Sequence, residues 1–236
     1  MQRRALIASP LLLAAPPVQA RGVIELVTAN QDPYAVARGP EPGFVLTLAA
    51  ELFRMIGLQV VFRFLPWPEA EARAASLPGL AIAPIRRNPE REAHFLWALH
   101  LFDDPHGFGT LRLPAPNSLA EARESARIAV LAGSRHEAFL LERGFTNLAP
   151  LPGRAEALAA LRAREVSSWF CELPKLRSQL GRAGQLGRPI FTDPAWLALQ
   201  PATTDIPLEA LHRAHAELEA DGSLDHLLRP FLGPGA

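Results

Sequence analysis

Hydrophobic and polar positions along the chain switch between two periods. Residues 22–28 (GVIELVT) and 59–65 (QVVFRFL) are short runs rich in β-branched and aromatic side chains, which predicts strands. Between them Val45, Leu48, Ala49, Leu52 and Ile56 fall at i, i+3, i+4, i+7 and i+11, one face of a helix that Gly57 closes. Residues 30–42, with Asp32-Pro33 and Gly39-Pro40 as turn signals, read as loop. Pro66-Trp67-Pro68 opens a second helix that runs to about Ser76, and residues 80–83 form a third strand. Strand, helix, strand, helix, strand predicts a parallel α/β layer.

The alternation restarts further on. Helices are expected over residues 118–125, 133–143, 154–164 and up to 180, with strands over 128–131, 147–151 and 166–171. Two extended stretches, 108–113 and 189–199, would cross between the halves, and the chain ends in two helices divided by Asp221-Gly222. The expected organisation is α/β and two-lobed. Residues 21–110 begin lobe 1, 111–190 form lobe 2, and 191–236 return to lobe 1 with the C-terminal helices. Two such lobes enclose a cleft, and open α/β sheets bind ligands beyond the carboxyl ends of their strands.

The first 20 residues fit neither lobe. Arg3 and Arg4 precede an apolar run from Ala5 to Ala15, and Val18-Gln19-Ala20 has the form of a cleavage site. This predicts a cleavable signal peptide over residues 1–20 and a periplasmic location. The whole chain of 236 residues carries 24 basic and 24 acidic side chains. Removing the signal takes away two arginines and no acid, leaving 22 against 24, or −2. That balance gives no general electrostatic case for nucleic acid. The single cysteine, Cys171, excludes an internal disulfide framework and a cysteine-rich zinc site. Lys175, the only lysine, reads as coding bias.

Several segments resemble the bacterial extracellular solute-binding proteins of family 3, the two-lobed periplasmic receptors of polar amino acid uptake systems. They are the opening GVIELVTANQDPYA, Pro66-Trp67, and Asn88 to Glu92 followed by Phe95-Leu96-Trp97. Leu131-Ala132-Gly133-Ser134, Val166 to Glu172, and Asp221-Gly222-Ser223-Leu224 continue the series. The resemblance spans nearly all of residues 22–233. It implies a two-lobed type II binding-protein fold and a small carboxylate-bearing ligand, either a polar amino acid or an organic acid. It also implies a monomer that delivers this ligand to an inner-membrane ABC permease, with no enzymatic activity and no cofactor or metal.

The resemblance also implies roles for residues. Arg91 would bind a ligand carboxylate, for which the planar guanidinium fork is well matched. Glu172 stands where the family places an aspartate for the ligand's amino group; it is also a helix N-terminal acid favoured by the macrodipole. Tyr34 would cover the ligand, and Trp67 would line the cleft or join the core. Ser134 would offer donors to an anion or simply cap a helix. Arg86, clustered with Arg87 and Arg91, favours a more anionic ligand such as a di- or tricarboxylate or an acidic amino acid. Pro84 lacks the N–H that amino acid receptors use at that point.

Other chemistry is weaker. His212 and His215 are three apart on a predicted helix but lack a third metal ligand. No P-loop, H-E-x-x-H or G-x-S-x-G occurs. Two alternatives stand beside the transport reading: a sensor or accessory binding protein, and a cyclohexadienyl-dehydratase-like enzyme with Glu172 or Glu69 as proton donor.

Overall fold

The computed structural model describes residues 22–112 and 114–232; the signal peptide expected at residues 1–20 lies outside them. β1 (Val23–Thr28) pairs in parallel with β2 (Gln59–Phe64) on one side and β3 (Leu80–Ile85) on the other. Two helices connect them, α1 (Phe44–Met55) and α2 (Trp67–Ser76). The periodic face of α1 goes inward as its spacing requires, since Val45, Leu48, Ala49 and Leu52 are all 0% exposed. α2 carries Pro68 in its first turn, where a missing N–H breaks no helical bond. β3 is buried at every position, as a strand covered on both faces must be.

The centre of the molecule is a long antiparallel ribbon. β4 (Leu96–Thr110) runs beside β9 (Phe191–Leu199), from Leu96 opposite Leu199 to His106 opposite Phe191. At its lobe 1 end β9 lies between β3 and β4, which gives the order β2-β1-β3-β9-β4. From His106 onward β4 gains a neighbour on its other side, β7 (Ser168–Glu172), followed by β5 (Ile128–Leu131) and β6 (Leu148–Leu151). A two-residue strand, β8 (Gln185–Leu186), pairs with the far end of β4. β5, β6 and β7 are parallel, so each lobe has its own parallel layer and the ribbon of β4 and β9 is shared.

The other helices cover these layers. α3 (Leu119–Arg123), α4 (Arg135–Glu142), α5 (Arg154–Ala163) and α6 (Leu173–Leu180) belong to lobe 2, while α7 (Leu208–Ala220) and α8 (Ser223–Leu232) return to lobe 1. Each sheet face has its own apolar cluster. In lobe 1, α1, α7 and α8 cover one face and α2 the other. In lobe 2 the pleat of β7 sends Trp169 and Cys171 toward α5 and α6, and Phe170 toward the opposite cluster. The α/β two-lobed architecture read from the sequence is the one observed.

One element is much longer than expected. The sequence predicts a crossing strand from residue 108, yet β4 begins at Leu96. The intervening Asp103-Asp104-Pro105-His106-Gly107 has turn-like composition, which is why its periodicity fails as a strand signal. Pro105 is tolerated because β4 has only β9 beside it there, and pairing with β7 starts one residue later.

Candidate functional site

A cleft of about 730 Å³ lies between the lobes, at the carboxyl ends of both parallel layers. Lobe 1 contributes residues 29–31 after β1, Trp67 after β2, and Pro84, residues 86–88 and Arg91 at the end of β3 and beyond. Lobe 2 contributes Arg135 after β5, Arg154 after β6, Glu172 at the end of β7, and Lys175 one turn into α6. Tyr34 and Asp193 of β9 complete the lining. Five of the six residues singled out in the sequence, Tyr34, Trp67, Arg86, Arg91 and Glu172, meet here. Ser134 does not line the cleft; its hydroxyl oxygen accepts the Glu137 N–H at 3.3 Å and caps α4.

The floor is a buried polar chain. Asp104, on β4 and 0% exposed, accepts the Tyr34 hydroxyl at 2.8 Å. The same carboxylate is paired with Arg86. The Arg86 Nε lies 3.0 Å from Asp193 Oδ2, and its Nη1 donates to the Asp193 carbonyl at 3.3 Å. Asp193 also holds Arg135 of lobe 2. Tyr34, Asp104, Arg86, Asp193 and Arg135 thus link the lobes through the shared ribbon. Burial raises the Asp104 carboxyl to about 6, with the Arg86 guanidinium pulling the other way. Arg86 is already committed to two aspartates that the sequence reading did not single out.

Glu172 is likewise occupied. Its Oε1 accepts from Lys175 Nζ at 2.6 Å, and its Oε2 accepts from the Cys171 thiol at 2.8 Å. Burial pushes this carboxyl up, but the Lys175 ammonium, His136, His106 and the Cys171 thiol together outweigh it and hold the group well below the usual carboxylate range. Behind Glu172 lie two buried histidines, His106 Nδ1 and His136 Nε2, 2.8 Å apart. Burial lowers His106 to about 2 and His136 to about 4, so both are neutral at physiological pH. Burial also pushes the Cys171 thiol well up, away from the nucleophilic range.

Arg91 sits on the opposite wall. Its Nε and Nη2 bind the two carboxylate oxygens of Glu71 at 2.6 and 2.7 Å, and its Nη1 donates to the Arg86 carbonyl at 3.1 Å. Its guanidinium lies 5.7 Å from the centre of the Trp67 ring. Three of its five N–H donors are therefore used, and two are left for a ligand. Arg87 is tied to Glu92 and stacked between Trp97 and Trp196, 5.1 Å from each ring centre. Arg154, the first residue of α5, has no partner among the described residues. Among the described residues no cluster of three or more histidine, cysteine or acidic side chains is arranged to hold a metal.

Solved structures share this architecture. Substrate-binding domain 2 of GlnP from Lactococcus lactis, in an open conformation, superposes with a TM-score of 0.77 at 14% identity, covering 91% of this chain and 97% of that one. This chain therefore has the two-lobed fold of that substrate-binding domain. The same fold occurs in the unliganded, open L-cystine solute receptor of Neisseria gonorrhoeae, with a TM-score of 0.72, 17% identity, and 92% and 95% of the two chains covered. An ancestral cationic amino acid solute-binding protein matches with a TM-score of 0.77 at 16% identity, covering 90% and 96%. No protein-family model matches the chain, and no curated protein matches it.

Proposed function

We propose that this chain is a periplasmic solute-binding protein of the family 3 type, a monomer that captures a small carboxylate-bearing ligand between its lobes and delivers it to an ABC permease. The observation that carries this reading is the cleft itself. It opens at the strand ends of both lobes, and six of its lining side chains are cationic: Arg86, Arg87, Arg91, Arg135, Arg154 and Lys175. The neighbours in fold are named as receptors and binding domains, two of them of amino acid ABC transporters, which supports transport over a sensory role. Binding without turnover is supported by Glu172, whose lowered pKa leaves it ionised at neutral pH with no proton to donate. Glu69, the other acid weighed as a proton donor, is exposed and does not line the cleft.

A thermal-shift screen of amino acids and organic acids on the protein tests the reading. A ligand at about 100 times its Kd raises stability by roughly 2.7 kcal/mol, a readily measured shift. Arg91→Ala, made together with Glu71→Gln so that no carboxylate is stranded, is expected to cost about 2–5 kcal/mol of carboxylate binding. Unchanged affinity by calorimetry would remove Arg91 from the site.

A further inference from the structure

The charges in the cleft are unequally engaged, and that inequality selects a ligand. Among the described residues only two carboxylates line it, Glu172 and Asp193. Glu172 is held by Lys175 and Cys171, and Asp193 by Arg86 and Arg135. A ligand ammonium entering the cleft would find both carboxylates already ion-paired and would face Arg154, the one lining cation with no ion-pair partner among the described residues. Two neutral side-chain acceptors are also engaged, since Asn30 Oδ1 accepts the Ala37 N–H and Asn88 Oδ1 accepts the Arg91 N–H, and the Tyr34 hydroxyl is given to Asp104. Unused donors lie on both walls: two N–H groups of Arg91 on lobe 1, and the unpartnered guanidinium of Arg154 on lobe 2. Closing the lobes on each other would press these cations together in a space losing its water, where like charges repel most strongly.

We infer that the ligand is a small organic dianion without an ammonium group, its two oxyanion groups shared between Arg91 on lobe 1 and Arg154 on lobe 2. This rests on the reading of the cleft as a ligand site and narrows its chemistry. In this arrangement Lys175 supplies from within the chain the ammonium that Glu172 would otherwise take from a ligand. The two anionic ends take up the donors left free on both walls and so favour closure. Carboxylate and phosphate oxygens fit a guanidinium fork equally well, so either can supply the anionic ends.

Calorimetry on the whole protein with matched probes tests this. Glutarate and glutamate differ only in the ammonium group, and 4-phosphonobutyrate replaces one carboxylate of glutarate with a phosphonate, a stand-in for phosphate. Glutarate or 4-phosphonobutyrate is expected to bind roughly tenfold or more tightly than glutamate, the tighter of the two identifying the oxyanion. Arg154→Gln, which breaks no hydrogen bond or ion pair among the described residues, should weaken the dianion roughly tenfold or more without moving the melting temperature of the free protein. Lys175→Met uncovers the Glu172 carboxylate and should shift the preference back toward glutamate. Equal or tighter binding of glutamate by the unmodified protein overturns the inference while leaving the cleft as a ligand site. Full affinity in Arg154→Gln removes the two-lobe sharing. Failure of every probe and of the amino acid screen removes the cleft reading and this inference with it.

Discussion

At the scale of single residues, the most consequential group is the neutral histidine pair behind the cleft. His136 has its pKa lowered by burial to about 4 from an ordinary 6.5. A depressed folded-state pKa means that the unfolded chain binds the proton first as the solution is acidified. The contribution of His136 is then fully present above pH 6.5 and is lost as the pH falls toward 4. Between about pH 7 and pH 5 that amounts to on the order of 2 kcal/mol. Asp104 runs the opposite way: its raised pKa stabilises the fold below 3.8, and this is lost as the pH rises through about 6. Urea unfolding of the wild type and of His136→Gln at the two pH values separates these terms. The variant is expected to lose less stability at the lower pH, and an identical loss would show that His136 is already protonated in the folded state.

At the scale of elements, α6 and β4 meet through glycine. Gly107 and Gly109 lie on one face of β4, and a Cβ on Gly109 would stand 2.9 Å from Leu180 Cδ1 and 3.2 Å from both Leu176 methyl carbons. α6 presents Leu173, Leu176 and Leu180 at i, i+3 and i+7, so its apolar stripe lies directly on the strand. Gly109→Val is expected to destabilise the protein by about 1–3 kcal/mol in chemical denaturation, because α6 must lift to admit the side chain. Stability unchanged from wild type would mean that the helix repacks freely. Because Glu172 and Lys175 frame the start of α6, the same substitution displaces the lobe 2 wall of the cleft. Elements of this kind were largely legible in the sequence. The helix of Val45 to Ile56 follows from periodicity and the strands at Val23 and Gln59 from their β-branched and aromatic content, while α5 lies over the residues expected for it and α7 ends at the Asp221-Gly222 break. β4 was not legible at its start, since Asp104 reads as a turn residue until its partners Arg86 and Tyr34 arrive from distant segments. The site was legible to a similar degree. Arg91, Trp67 and Tyr34 came from family resemblance, whereas their partners Glu71 and Asp104 are contacts between elements that no local spacing encodes. Lys175 is the exception, because its place three residues after Glu172, on the same helical face, was a readable signal.

At the scale of the whole molecule, the two walls of the cleft are joined by a hydrogen-bonded ribbon of β4 and β9. Closure therefore twists a paired strand couple that carries the Asp104 and Asp193 links to Arg86, and hinge motion of this kind is expected around a bound ligand. Small-angle scattering should show a smaller radius of gyration when a ligand from the screen is added, and an unchanged radius would place binding on a rigid cleft. The ligand can shift this equilibrium only by its differential affinity for the two states.

The position of β9 in the sheet also governs how the molecule can be made. β3 and β4 flank β9, yet β9 is synthesised only after all of residues 86–190 have emerged. Lobe 2, by contrast, draws β5, β6, β7 and the end of β4 from one uninterrupted stretch of chain. Domains complete in order of emergence as a chain is produced at roughly 5–20 residues per second. The later-numbered lobe is thus the first able to assemble, while the N-terminal lobe waits with an open slot in its sheet for a strand delivered from near the other end of the chain.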